Sequence, residues 1–146
     1  MVIAIFGESC TGKSAIAMEL TKRVAAKVYA GKDYLRMDSD PNKARAAFAE
    51  MLKSNVEGAD VVIYLIAERE GLSLAPPGAM RVLVTADLDT IKARFAQRMS
   101  GYLPKSVSDM LERRHGMFDA EPCDLHIGNT DEPLKGVCDE ILKART

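Results

Sequence analysis

Val2-Ile3-Ala4-Ile5-Phe6-Gly7-Glu8-Ser9-Cys10-Thr11-Gly12-Lys13-Ser14 is the stretch that decides how this chain folds. Residues 2–6 are an unbroken apolar run, the pattern of a strand covered on both faces. Gly7, Gly12, Lys13 and Ser14 then fill every fixed position of a phosphate-binding loop, with a strand before it and a helical pattern after it. Two glycines let the backbone curl with its N–H groups turned inward, forming an anion nest. The following helix adds its own unsatisfied N–H groups and the positive end of its dipole. Gly7, Glu8, Ser9, Cys10, Thr11, Gly12, Lys13 and Ser14 are therefore expected to wrap the phosphates of a nucleoside triphosphate. Lys13 is the cation for the β- and γ-phosphates, and the Ser14 hydroxyl is the expected ligand of Mg²⁺. A carboxylate facing phosphate is repelled, so Glu8 is expected to point to solvent in preference to Mg²⁺. Cys10 reads as a small residue that fits the curl.

Outward from the loop, Ile16, Leu20 and Val24 recur every four residues among Glu19, Lys22 and Arg23, which predicts an amphipathic helix. Residues 28–30 read as a second strand closed by Gly31. Ser39-Asp40-Pro41 is a helix start, a capping residue followed by proline at the first helical position. Ala44, Ala47, Phe48, Met51 and Leu52 form the apolar stripe of that helix, read as core rather than as a cover for substrate, and Gly58 is its stop. Residues 61–66 are the strongest strand signal in the chain. Residues 71–78, with Pro76-Pro77, read as a loop, and residues 82–84 as another buried strand. Asp87 or Asp89 caps a helix whose Leu88, Ile91, Phe95 and Met99 face inward. Ser100-Gly101 breaks it, and Ser106 or Ser108 opens the next. Residues 125–127 form a short last strand, and Leu134, Val137, Cys138, Ile141 and Leu142 mark a C-terminal helix.

Five strands alternating with helices predict an α/β fold, a parallel sheet covered by helices on both faces. No linker divides residues 1–146, so a single domain is expected in 146 residues. Lys and Arg number 20 against 21 Asp and Glu, and aromatic residues are only 5%. That balance offers neither a basic groove nor a stacking platform, so no nucleic-acid partner is expected. Three cysteines, Cys10, Cys123 and Cys138, suit a reducing, cytoplasmic compartment. The apolar N-terminus is too short for a signal peptide, and no run is long enough to span a membrane, so no membrane partner is expected. His115 and His126 have no metal-type spacing and read as incidental.

With the loop and these elements in place, the chain resembles the P-loop small-molecule and nucleotide kinases. Gluconate kinase and shikimate kinase are nearest in pattern; adenylylsulfate and cytidylate kinases are more distant. The resemblance implies a three-layer P-loop NTPase fold with strand order 2-3-1-4-5 and a short lid near residues 99–106. It also implies ATP and Mg²⁺ as cofactors and a small hydroxylated metabolite or nucleotide as phosphoryl acceptor. Three segments carry it. Val28-Tyr-Ala-Gly-Lys-Asp33 ends where such kinases place an acid near substrate and Mg²⁺, so Asp33 either orients the acceptor hydroxyl or acts as its base, or is a solvated turn residue. Val84 to Arg98 resembles the strand and helix leading into the lid. Arg94 and Arg98 share a face there, and Arg98 is the better candidate to cover the phosphates. Leu111-Glu-Arg-Arg114-His-Gly-Met-Phe118 places Arg114 where such kinases hold the acceptor's anionic group. Asn129 and Pro133 match the loop that packs against adenine, or are ordinary helix-start residues. Asp33 and Arg114 are expected to line the open end beside the γ-phosphate.

Two departures matter. Ala67-Glu68-Arg69-Glu70 follows the third strand where such kinases often carry a Mg²⁺-orienting acid, leaving Glu68 as the nearby stand-in. The acceptor region is also abbreviated. A nucleotide-binding protein or slow NTPase without a small-molecule acceptor is therefore the alternative to a kinase.

Overall fold

The computed structural model describes residues 1–128 and 134–143. Its core is a five-stranded parallel sheet: β1 (Val2–Phe6), β2 (Ala26–Ala30), β3 (Val61–Ile66), β4 (Met80–Thr85) and β5 (Leu125–Gly128). The order across the sheet is β2-β3-β1-β4-β5, as the resemblance implies. β1 lies at the centre, with Val2 opposite Val62 on one side and Ile3 opposite Met80 on the other. Both faces are covered, which is why β1 and β3 read as continuous apolar runs rather than alternating ones.

The side chains alternate between two cores. Ile3, Ile5, Ile63, Val82 and Val84 face α1 (Lys13–Thr21) and α6 (Leu134–Lys143), which contribute Ile16, Leu20, Val137 and Ile141. Ala4, Phe6, Tyr64, Ile66 and Leu83 face α2 (Pro41–Asn55), α3 (Arg69–Leu72) and Phe118. Phe48 is wholly buried in this second core. Its ring meets Tyr64 edge-on at 4.9 Å, Tyr29 at 5.4 Å and Tyr34 in a stack at 5.5 Å. A third, smaller cluster joins Cys10 and Ala86 to Ile91 of α4 (Leu88–Arg98) and Leu111 of α5 (Lys105–Arg114).

Most element boundaries follow local chemistry. The Asp40 carboxylate accepts from the N–H groups of Asn42 and Lys43, and Pro41 opens the helix. Asp87, not Asp89, caps α4 by accepting from the Thr90 N–H, and those hydrogen bonds hold its carboxyl below the ordinary range. Three expectations need correction. Met99 does not face inward: the helix ends at Arg98, and Ser100 and Gly101 take φ of 62° and 91°, leaving Met99 39% exposed. Neither Ser106 nor Ser108 opens α5. Pro104 does, at φ −58° and ψ 145°, its carbonyl accepting from Val107 and Ser108. Residues 71–78 are not wholly loop, because the helix Arg69–Leu72 takes up the first two of them. No helix among the described residues is long and apolar enough to cross a membrane.

Candidate nucleotide site

The loop after β1 is closed by short-range geometry. The Gly7 N–H bonds the Ile66 carbonyl at 3.1 Å, so the loop starts as an extension of the sheet. A Cβ on Gly7 would stand 2.2 Å from the Val84 carbonyl oxygen, so only glycine lets β1 pass β4 this closely. Gly12 enters the helix at φ 110°, a left-handed conformation that glycine adopts without strain. Cys10 takes φ 64° with its side chain buried in the third apolar cluster. The first helical bond of α1 runs from Ile16 N–H to the Gly12 carbonyl. The N–H groups of Lys13, Ser14 and Ala15 therefore have no acceptor within the helix.

Lys13 is only 8% exposed, and its ammonium donates to the carbonyls of Gly7 at 2.7 Å and Glu8 at 2.6 Å. Thr11, fully buried, donates its hydroxyl to the same Glu8 carbonyl at 2.9 Å. Burial pushes the Lys13 ammonium down to about 8, and the positive charge of Arg98 adds to that, while Cys10 and Glu8 oppose it. The cation is thus held at the loop at an electrostatic cost that an added anion would relieve.

A cavity of about 780 Å³ opens over the loop. Ser9, Lys13 and the exposed Ser14 line its floor, and Arg94 and Arg98 line its wall. Arg94 is more than a basic helix face: its guanidinium donates to the Cys10 carbonyl at 3.0 Å and ties α4 to the loop. Met18 and Leu134 give the cavity an apolar stretch, and Ala30, Gly31 and Ala67 bound its other end.

The acceptor-side residues are placed differently. Neither Asp33 nor Arg114 is among the residues that line this cavity. The Asp33 carboxylate accepts from the Ala30 N–H at 2.9 Å and closes the turn after β2. Arg114 donates to Glu68 at 2.9 Å, with both side chains about half exposed. Glu68 lines a small side cavity of about 60 Å³, which shares Gly31 and Ala67 with the main one. Asn129 and Pro133 lie outside the described residues.

Two further expectations are corrected here. Glu8 does not point to solvent. It is 9% exposed, and its carboxylate is held by His115 Nδ1 at 3.1 Å and by the Gly116 N–H at 3.1 Å. His115 is accordingly not incidental, and His126 meets the Thr85 hydroxyl at 2.8 Å. These contacts join residues 107 and 41 positions apart, and no spacing rule in the sequence announces them.

A curled glycine loop at the end of the central strand, in a sheet of this order, is the arrangement of the P-loop NTPase fold. Solved structures carry the same fold. The chain matches an uncharacterized protein from Eubacterium ventriosum ATCC 27560 at TM-score 0.69 and 18% identity, over 99% of this chain and 97% of that one. A gluconokinase from Sinorhizobium meliloti 1021 matches at TM-score 0.63 and 18% identity, over 99% and 91%. A shikimate kinase from Acinetobacter baumannii, solved in complex with shikimate, matches at TM-score 0.67 and 11% identity, over 99% and 92%. No family model matches the chain, and no curated protein matches it in sequence.

Proposed function

We propose that the chain is a Mg²⁺- and ATP-dependent phosphotransferase acting on a small hydroxylated metabolite or nucleotide in the cytoplasm. The observation that carries the reading is a buried Lys13 ammonium at the mouth of a curled loop, with Arg98 lining the same cavity and close enough to depress it. The residues present fit a polyphosphate: three N–H groups of α1 without helical acceptors, a glycine loop that no Cβ can enter at Gly7, and an exposed hydroxyl on Ser14. Mg²⁺, when bound, neutralises phosphate charge and is held on the protein side by Ser14. Lys13 leaves the Gly7 and Glu8 carbonyls for the β- and γ-phosphates, and Arg98 offsets charge that develops during transfer. Arg94 keeps the wall against the loop, and residues 99–106 serve as a short lid that excludes water.

Asp33 and Arg114 belong to the acceptor side in this reading, and each is engaged by the protein itself. Acceptor turnover therefore requires an incoming hydroxyl to compete for Asp33, and an incoming anion to displace Glu68 from Arg114. The same engagement favours a second reading, nucleotide binding with slow hydrolysis and no acceptor. Calorimetric titration with Mg-ATP, followed by a coupled assay over a panel of hydroxylated metabolites and nucleotides, separates the two. The kinase reading expects saturable binding and turnover with one acceptor class. Binding with no acceptor turned over leaves the second reading, and a chain that ignores Mg-ATP sinks both.

A further inference from the structure

Glu8 is the one charged residue among the five between Gly7 and Lys13. A carboxylate at that place opposes an anion in the loop unless something holds it elsewhere. The structure supplies the holder. His115 Nδ1 and the Gly116 N–H each stand 3.1 Å from one oxygen of the carboxylate, which is nine-tenths buried. On its main-chain side, the Glu8 carbonyl accepts from both Lys13 and Thr11. One residue therefore joins the loop's cation to the turn that ends α5. His115 directly follows Arg114, which holds Glu68. Neither Glu8 nor His115 lines the cavity over Lys13; both border a separate one of about 420 Å³, with Asp87, Asp119 and His126.

We propose that Glu8, His115 and Gly116 form a clasp in which the imidazole and the amide hold the Glu8 carboxylate out of the phosphate path. The clasp couples the loop's affinity for nucleotide to the segment bearing Arg114. It rests on the reading that the loop takes nucleotide phosphates. Glu8 and His115 act as positioning residues, through the loop backbone and Lys13. Without the imidazole the carboxylate keeps a single donor. Whether it stays half-partnered or turns toward the phosphates, its charge then works against the ligand. Removing that charge as well removes the fault. A merely structural role behaves otherwise: it lowers the melting temperature and leaves the folded protein's affinity for Mg-ATP unchanged.

The test is a double-mutant cycle read by Mg-ATP calorimetry and thermal melting on the full chain. His115→Ala is expected to bind Mg-ATP roughly tenfold more weakly than wild type, inside the range of coupling between contacting residues. In the Glu8→Gln background the same His115→Ala change is expected to cost less than about twofold, so that the loss is conditional on the charge. His115→Gln, which keeps a donor, recovers most of the loss. Wild-type affinity in His115→Ala, or equal losses in both backgrounds, overturns the clasp. Should His115→Ala fail to fold, the Gly116 amide resonance of wild type decides: Mg-ATP is expected to shift it, and an unmoved resonance overturns the clasp. The two readings fail separately. Wild type that does not bind Mg-ATP sinks the nucleotide reading and the clasp with it, whereas binding that depends on Lys13 but ignores His115 sinks the clasp alone.

Discussion

The glycine loop under the main cavity and the region of Asp33 and Arg114 beside it are built from different materials. The loop is backbone: a glycine curl, the first turn of α1 and two carbonyls gripped by Lys13. The second region, proposed above for the acceptor, lies outside that cavity and consists of side chains already bonded to other parts of the protein, Arg114 to Glu68 and Asp33 to the turn after β2. Tyr34 and Tyr64, which pack on Phe48, line the small cavity that also holds Glu68. A backbone site has one shape and one charge preference whatever its neighbours do. A site of paired side chains keeps its options, since each pair exchanges for another at little cost when it is half exposed. Under the proposed function, phosphate binding falls to the first region and choice of acceptor to the second.

Four measurements break or sharpen that contrast, from the largest expected effect to the smallest. Phe48→Ala removes the ring against which Tyr34 and Tyr64 of the small side cavity pack. It should destabilise the fold by about 3–5 kcal/mol in urea denaturation, and a loss under about 1 kcal/mol would mean that the cluster is not packed as described. Gly7→Ala forces a methyl against the Val84 carbonyl. Mg-ATP affinity should fall by on the order of 300-fold, about 3.4 kcal/mol, and near-normal binding would show that the curl is softer than a backbone site should be.

The third is a pH series on Lys13, whose ammonium burial pushes down to about 8. An unfolded lysine titrates near 10.4, so between about pH 8 and 10.4 the unfolded chain holds more protons than the folded one. Stability of the ligand-free protein relative to Lys13→Met should therefore rise with pH across that window, by up to about 3 kcal/mol. Below pH 8 the buried charge is a standing cost. Parallel curves for the two proteins would remove the electrostatic half of the argument. Mg-ATP binding near pH 8.5 should also take up a proton, seen as a buffer-dependent binding enthalpy. The smallest effect belongs to Arg114→Ala, expected to change stability by less than about 1 kcal/mol, because the pair with Glu68 is half exposed. A larger loss would mark the Arg114–Glu68 pair as structurally fixed after all.

What was legible in the sequence follows the same division. The loop, the Asp40-Pro41 helix start and the strand at residues 61–66 are set within a few residues, so spacing and residue type revealed them. The sheet order came from the resemblance, not from spacing. The four-residue rhythm through Phe95 suggested that Met99 turns inward, but the break at Ser100 and Gly101 acts one residue earlier. Serine looked like the obvious cap for α5, yet Pro104, with φ fixed by its ring, already ends the preceding segment. Glu8 was out of reach for a different reason. Solvent was the cheapest neighbour that a local reading could offer a carboxylate, and its real neighbours arrive from the far end of α5 once the sheet has assembled.

The three cysteines have unequal reach, which matters at the bench. Cys10 is sealed under α4 and α5. Cys138 is fully buried, donates to the Ile16 carbonyl at 3.8 Å, and has its thiol pushed up by burial. Cys123 is exposed, at the edge of the cavity that also borders His115. A maleimide dye should therefore attach at a single sulfur without mutagenesis, and its emission should follow events at that turn in the native protein.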